Sequence, residues 1–270
     1  MSGANNGRLA VLIDADNAQA SMANELFAEI SRYGTASVKR AYGDWTTPNL
    51  KGWKEHLHQL AIQPIQQFSY TIGKNSTDSS LIIDAMDLLH TGHVDGFCLV
   101  SSDSDFTRLA TRLRESGKIV YGFGEEKTPE PFVKACNKFI YVEVLRPKVE
   151  ATAAPNAAAV ATPGAKTGTS ASTTDSAAVP GARKSDALPK PPFDLIYQAI
   201  EETSDESGWS HLGAVGQYIQ KIRTDFDSRM YGSKKLSDLL KNYPKKFVIE
   251  ERGAAGSGSK SVFVRRATTN

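Results

Sequence analysis

RLAVLIDADN, residues 8–17, opens with an apolar run over residues 9–13 and closes on Asp14, Asp16 and Asn17. A short continuous apolar run bounded by polar residues is typical of a strand that is buried on both faces. Such strands occur almost only in parallel sheets whose two faces are covered by helices. The stretch therefore predicts the first strand of an α/β domain, with carboxylates at the carboxyl end of that strand.

The same alternation of apolar runs and helical patterns continues to residue 144. Strands are predicted over residues 9–13, 36–42, 62–68, 97–100, 118–123 and 139–144. Helices are predicted between them, over residues 18–32, 50–60, 79–89, 105–115 and 131–136. Pro64 interrupts the third strand, which favours an irregular or edge position for it. The β-α order predicts a parallel, Rossmann-like sheet with helices on both faces.

A change in composition separates this domain from the rest of the chain. No aromatic residue occurs between Tyr141 and Phe193, where Ala, Pro, Ser, Thr and Gly dominate. Such a segment cannot bury enough apolar surface to offset the entropy lost on ordering. We therefore predict a flexible linker over residues 148–190, between domains at residues 1–147 and 191–270.

The second domain has another periodicity. Helical patterns cover residues 193–203, 212–222 and 234–241, and two short strands follow over residues 246–250 and 261–265. Three helices followed by a terminal hairpin predict a small winged-helix domain.

The sequence predicts neither a membrane protein nor a secreted protein. No apolar run approaches the roughly 18 residues that span a bilayer, and the polar start MSGANNGR lacks the pattern of a signal peptide. The two cysteines, Cys98 and Cys136, lie in apolar surroundings, which favours reduced, buried thiols. We expect a cytoplasmic protein.

Acidic residues follow the ends of two predicted strands. Asp14 ends the first, and Asp103 and Asp105 follow the strand over residues 97–100, while Asp78 begins a helix. Ligands of open α/β sheets bind beyond the carboxyl ends of the strands. If the two strands are neighbours, their carboxylates meet, repel one another and favour a hard cation such as Mg²⁺ or Mn²⁺. We predict metal ligands at Asp14, Asp78, Asp103 and Asp105, with Asn17 orienting a ligand, a water or the Asp14 carboxylate.

Simpler interpretations of these residues stay open. An aspartate at the start of a helix is often only an N-cap, which applies to Asp78, Asp103 and Asp105 individually. Asp84 is a candidate for supporting the site. Other chemistries lack their motifs: no G-x-G-x-x-G follows the first strand, no histidines stand at zinc spacing, and no G-x-S-x-G elbow is present.

These motifs resemble a known family. RLAVLIDADN, TDSSLIIDAMD and GFCLVSSDSDFTRLATRLRESGKIVYGFG are similar to the NYN domain of the PIN-like nuclease superfamily. The resemblance implies a Rossmann-like sheet with acidic metal ligands at its strand ends, and characterised members include metal-dependent endoribonucleases. By motif match, the resemblance assigns catalytic positions to Asp14, Asn17, Asp78, Asp103 and Asp105. Related sequences often carry Lys-Gly-x-Asp before the middle helix, whereas residues 74–78 here read KNSTD.

A second resemblance covers residues 193–266. GWSHLGAVGQYI, DFDSRMYGSKKLSDLLKNYPKKFVIEER and SVFVR are similar to the OST-HTH, or LOTUS, domain. This resemblance implies a winged-helix module that binds RNA, including structured RNA, or partner proteins.

The basic residues of the second domain also indicate RNA binding, independently of the resemblance. Clustered cations neutralise phosphates and release counterions, and aromatic rings beside them stack on bases. The alternative is a solvated charged face with tyrosines in the core. The candidate RNA-binding residues are Arg229, Tyr231, Lys234, Lys235, Lys241, Lys245, Lys246 and Arg265. On a flexible linker, this domain would raise the RNA concentration near the acidic rim.

The sequence therefore predicts a metal-dependent endoribonuclease with an RNA-binding module, acting on single-stranded or structured RNA. A non-catalytic RNA-binding adaptor that retains the fold is the alternative, motivated by the altered loop before Asp78. A phosphatase of the DxD type is the weakest, because Asn17 and Ala18 do not fit its motif.

Overall fold

The fold is described from a computed structural model, covering residues 7–68, 76–146, 188–253 and 260–267. A six-stranded sheet forms the first domain, in the order β3-β2-β1-β4-β5-β6, and all its neighbouring strands run parallel. The strands are β1 Arg8–Asp14, β2 Thr35–Gly43, β3 Gln63–Gln66, β4 Gly96–Val100, β5 Ile119–Gly124 and β6 Lys138–Tyr141. This order reverses between β1 and β4, which is where open α/β sheets bind ligands.

Helices cover both faces of the sheet, as predicted. They are α1 Ala23–Ile30, α2 Lys51–Gln59, α3 Ser76–Thr91, α4 Thr107–Glu115 and α5 Glu130–Ala135. Along β1, Ala10 and Leu12 enter one hydrophobic core, while Val11 and Ile13 enter the other. All four side chains are inaccessible to solvent. The doubly buried strand predicted from the run over residues 9–13 is confirmed.

Most differences from the predicted elements lie at their ends. The helix predicted from residue 18 starts later, with a 3-10 turn over Ala20–Met22, because the chain first turns back on β1. The backbone amide of Ala18 donates to the carbonyl of Asp14 at 2.9 Å in that turn. Strand β6 ends at Tyr141, and a 3-10 turn over Val142–Leu145 replaces the rest of the predicted strand. The predicted edge position of β3 is confirmed.

The C-terminal domain is winged-helix-like, with three helices packed on a small antiparallel sheet. Its elements are α6 Phe193–Thr203, α7 Leu212–Ile222, α8 Leu236–Lys241, β7 Ser210–His211, β8 Phe247–Gly253 and β9 Lys260–Arg266. The sheet order is β7-β9-β8. The two-residue strand β7 was not predicted, because a strand this short carries no periodic signal. His211 also caps α7, accepting at Nδ1 from the amide of Gly213 at 3.1 Å.

The two folded domains contact each other directly, within one compact unit. The amide of Phe139, on edge strand β6, donates to the carbonyl of Thr224 at 3.0 Å. The Thr224 hydroxyl donates to the carbonyl of Val133 at 2.9 Å. The first bond satisfies a backbone amide that an open sheet edge would leave unpaired. The C-terminal domain is therefore held against β6 in this structure, which the sequence did not predict.

An ion-pair network reinforces this interface. Arg229 donates from Nη1 and Nη2 to the two carboxylate oxygens of Glu29, at 2.9 Å each. The same guanidinium bonds Asp227, and Glu29 also accepts from Tyr33 and Arg32. Burial alone would raise the pKa of Glu29, but the hydrogen bonds from Arg229 and Tyr33 and the charge of Arg229 lower it to about 2. The interface thus depends on Glu29 being ionised.

The predicted linker over residues 148–190 lies almost wholly outside the described residues and stays a prediction. No helix within the described ranges has the length and apolar character needed to cross a bilayer.

Replacing Arg229 with Ala leaves the buried carboxylate of Glu29 without its main partner. We expect the free energy of unfolding at pH 7 to fall by about 3–5 kcal/mol, measured by urea denaturation. Arg32→Ala is the matched control, because Arg32 bonds the same carboxylate but its side chain is 64% exposed. The control should cost less than about 1 kcal/mol. Equal stabilities of the two variants would contradict the assignment.

The same pair predicts a pH dependence. The pKa of Glu29 is lowered from 4.5 to about 2, so its ionised form stabilises the fold above pH 4.5. That contribution is lost as the pH falls from 4.5 through 2. The difference in unfolding free energy between wild type and Arg229→Ala should therefore shrink over this range. A difference that is constant from pH 7 to pH 2 would contradict the role of Glu29.

Candidate metal centre

Strands β1 and β4 bring two acidic segments together at the point where the strand order reverses. The two strands pair in parallel, with Ile13 opposite Val100. Asp14 is the last residue of β1, and Ser101 directly follows β4. The predicted adjacency of the strands that carry Asp14 and Asp103 is therefore confirmed.

Asp14 is the most deeply placed of these carboxylates. Its side chain is 0% exposed, and its Oδ2 accepts from Asn17 Nδ2 at 2.8 Å and from Ser101 Oγ at 2.7 Å. Its Oδ1 is buried and has no hydrogen-bond partner among the described residues. Burial raises the pKa of Asp14 against the lowering effect of the two hydrogen bonds. A buried acceptor without a donor is costly unless another group satisfies it.

Three further aspartates converge beside it. One carboxylate oxygen from each of Asp78, Asp103 and Asp105 lies within 4.8 Å of the other two. Asp78 stands in the first turn of α3, where its side chain is 8% exposed. Asp103 caps the 3-10 turn over Ser104–Phe106 by accepting from the Asp105 amide at 2.9 Å. The capping role weighed for Asp103 is thus real, and it holds the carboxylate within the cluster.

Burial, together with the crowded charges, raises the pKa of Asp78 to about 6. Burial is the largest cause, followed by the charges of Asp14, Asp103, Asp105 and Asp16. The salt bridges found among the described residues do not include Asp14, Asp78 or Asp103. The repulsion is therefore not offset by a salt bridge at these three carboxylates.

This donor set fits a hard divalent cation. Carboxylate oxygens are the ligands that Mg²⁺ and Mn²⁺ prefer, and a cation would relieve both the mutual repulsion and the unsatisfied Oδ1 of Asp14. The fit rests on the cluster and the buried acceptor together, since exposed acidic groups often gather without an ion.

Two neighbouring residues were not predicted to belong to this site. Ser101 donates to Asp14 and accepts from the Asp103 amide at 3.0 Å, so one hydroxyl joins both segments. Asp16 accepts from Thr77 Oγ1 at 2.9 Å, which links the loop after β1 to α3. In the sequence, Ser101 is the first serine of SSDSD and Asp16 is the second aspartate of DADN. Their place in these two motifs was the available sign that they belong to the site.

Asp84 belongs to a different network. Its Oδ2 accepts from Arg40 at 2.9 Å and from the Tyr42 hydroxyl at 2.8 Å. Its charge is therefore balanced by Arg40, and we do not assign Asp84 to the metal centre. In the altered loop, Lys74 and Asn75 lie outside the described residues.

Two of the eight candidate RNA-binding residues are placed elsewhere by the structure. Arg229 is held by Glu29 and Asp227, and the Tyr231 ring is 8% exposed in the core of the C-terminal domain. Because Arg229 is held by two carboxylates and the Tyr231 ring is buried, we do not include these two residues in the proposed RNA-binding surface. The sequence could not show this, since Glu29 lies 200 residues from Arg229.

The other six candidates keep exposed positions. Lys234, Lys235 and Lys245 are exposed, and Lys241 pairs with Glu251 at 3.5 Å. The remaining two, Lys246 and Arg265, lie over aromatic rings.

Comparisons with known proteins cover both domains. The NYN domain matches residues 8–143, and the OST-HTH/LOTUS domain matches residues 189–257. No curated protein matches the chain.

Two solved structures are similar to parts of the chain. A protein of unknown function from Vibrio parahaemolyticus is 18% identical, with a TM-score of 0.43, over 52% of this chain and 94% of its own. An uncharacterised protein from Nitrosomonas europaea, solved by NMR, is 38% identical, with a TM-score of 0.29, over 37% of this chain and 94% of its own.

Replacing Asp78 with Asn removes one of the crowded charges. The pKa of Asp78 is raised from 3.8 to about 6, so its ionised form penalises the folded state at pH 7. In EDTA at pH 7, we expect the variant to be more stable than wild type by roughly 1–3 kcal/mol in urea denaturation. The gain should vanish as the pH falls through 6 to below 3.8.

Asp87→Asn is the control for this substitution, because Asp87 is exposed on the same helix. It should leave the stability unchanged within about 0.5 kcal/mol. An Asp78→Asn variant that is no more stable than wild type at pH 7 would contradict the raised pKa of Asp78.

Proposed function

Since this chain belongs to the NYN domain family and carries an OST-HTH/LOTUS domain, we propose that it is a metal-dependent endoribonuclease that hydrolyses RNA phosphodiester bonds. The observation that supports the proposal best is the convergence of Asp78, Asp103 and Asp105 beside buried Asp14. A set of crowded carboxylates is unsuited to a polyanion by itself. It becomes suited to a phosphodiester when a divalent cation reverses the local charge.

Under this proposal, Asp14, Asp78, Asp103 and Asp105 would hold one or two Mg²⁺ or Mn²⁺ ions. When bound, such an ion supplies Lewis acidity toward a phosphoryl oxygen and lowers the pKa of water. The chain itself fixes the ligands in advance. Ser101 and Asn17 hold Asp14, and the Asp105 amide holds Asp103. This preorganisation is what in-line displacement at phosphorus requires of a protein.

The C-terminal domain would bind the RNA substrate. The exposed cations Lys234, Lys235 and Lys245, with Lys246 and Arg265, are suited to phosphate contacts. We assign Lys241 a weaker role, because it already pairs with Glu251. Protein partners through this domain remain an alternative use of the same surface.

We also propose a cytoplasmic location. Cys98 and Cys136 are both free and buried, which suits a compartment that keeps thiols reduced.

The decisive assay follows cleavage of end-labelled single-stranded and structured RNA with Mg²⁺ or Mn²⁺. Asp14→Asn and Asp103→Asn should each lower the cleavage rate by about 100-fold or more, because each removes the charge of a carboxylate that would hold the metal ion. Asp87→Asn is the control and should cleave like wild type. EDTA should abolish cleavage by wild type.

Equal cleavage by wild type, Asp14→Asn and Asp103→Asn would reject the nuclease assignment. RNA binding without any metal-stimulated turnover would instead favour the non-catalytic adaptor, for which the altered sequence KNSTD at residues 74–78 is the motivation.

A further inference from the structure

The small sheet of the C-terminal domain has one face that the hydrophobic core does not use. Ser210 pairs with Val264, and Phe247 opens strand β8; these side chains point to the core and are at most 3% exposed. Side chains alternate along a strand, so the neighbouring positions point away from the core. His211 lies opposite Phe263 on that outward face, as Val248 lies opposite Arg265.

Aromatic and guanidinium groups stack on this outward face. The Cζ of Arg265 lies 4.8 Å from the ring centroid of Trp209, and the Cζ of Arg252 lies 4.8 Å from the same ring. Arg252 also lies 4.7 Å from the ring of Phe263, against which His211 packs edge-on at 5.5 Å. We call Trp209, His211, Arg252, Phe263 and Arg265 the outer-sheet cluster.

The cluster lies outside the buried core of the domain. None of its five members belongs to the buried core of the domain, and Arg265 is exposed. Guanidinium groups that already lie over rings lose little further entropy on binding, and their N–H donors can contact phosphate oxygens. Bases of unpaired nucleotides stack on aromatic rings and on arginine planes alike.

The two arginines of the cluster differ in their ion pairs. Arg252 is paired with Glu250 at 3.2 Å, whereas no salt bridge of Arg265 is found among the described residues. The next residue, Arg266, lies 4.4 Å from the ring of Tyr197, which Lys246 also approaches at 5.7 Å. Arg265 and Arg266, which are adjacent at the end of β9, therefore each lie over an aromatic ring.

We propose that the outer-sheet cluster is a binding site for single-stranded RNA, in which unpaired bases stack on its rings and guanidinium planes while Arg265 contacts phosphate. The proposal rests on the proposed RNA-binding role of this domain and names the surface responsible. Trp209, His211, Arg252 and Phe263 were not among the residues selected from the sequence, because their stacking depends on the pairing of three strands.

The test measures binding by fluorescence anisotropy, with a labelled, unstructured RNA oligonucleotide and the full-length Asp14→Asn, Asp103→Asn protein in EDTA. This background separates binding from cleavage. Arg265→Ala and Trp209→Ala should each weaken binding roughly 5- to 150-fold. Arg265→Ala should also reduce the salt dependence of log K by about one ion, whereas Arg265→Lys should keep that slope and still lose affinity.

Two controls keep the outcome clear. Lys221→Ala removes an exposed cation on α7, away from the cluster, and should change affinity less than twofold. Trp209→Phe keeps an aromatic ring and should restore most of the affinity lost in Trp209→Ala. Circular dichroism of both variants should match that of the parent protein, which separates a loss of stacking from a folding defect. Substitutions in the cluster should lower the affinity for fully paired RNA less than the affinity for single-stranded RNA.

Wild-type affinity in both Arg265→Ala and Arg252→Ala would overturn the proposal and leave this face to a protein partner. An equal loss for duplex and single-stranded RNA would overturn base stacking. Failure of the nuclease proposal would look different, because the parent protein would bind RNA in this assay yet wild type would not cleave it.

Discussion

A carboxylate with no exposure to solvent stands at the end of β1, where the order of the sheet reverses. The cost of burying Asp14 is offset on one oxygen by Asn17 and Ser101, while the other oxygen has no partner among the described residues. Because β1 pairs with β4, the same point receives the loop that carries Asp103. The position of the whole acidic cluster thus depends on this parallel pairing and on the fixed orientation of Asp14.

A second constraint acts at the interface between the domains. Arg229 holds Glu29 and Asp227 with one guanidinium, and the Thr224 carbonyl covers an amide on edge strand β6. Buried ion pairs are not a strong source of stability in general, but removing one partner leaves a charge without compensation. Arg229 therefore has a structural role, in which its guanidinium is occupied by the carboxylates of Glu29 and Asp227.

The two domains use charge in opposite ways. In the NYN domain, burial and the charges of neighbouring carboxylates raise the pKa of Asp78 to about 6, a state that a hard cation would relieve. In the C-terminal domain, guanidinium groups lie over the rings of Trp209, Phe263 and Tyr197. The first arrangement suits chemistry at a phosphodiester, and the second suits recognition of the strand that contains it. Both arrangements support the proposed function.

The order of the elements, the parallel sheet and the carboxylates at its strand ends could be predicted from the sequence, because hydrophobic periodicity and strand-end position are local properties. Both families could also be recognised there, since their motifs are contiguous. The partners of the charged groups, in contrast, depend on the tertiary fold: Glu29 pairs with Arg229, Asp84 pairs with Arg40, and Asp14 accepts a hydrogen bond from the neutral Ser101 hydroxyl. These pairings join residues 44 to 200 positions apart, and electrostatic energy depends on their distance in space, which no local pattern encodes.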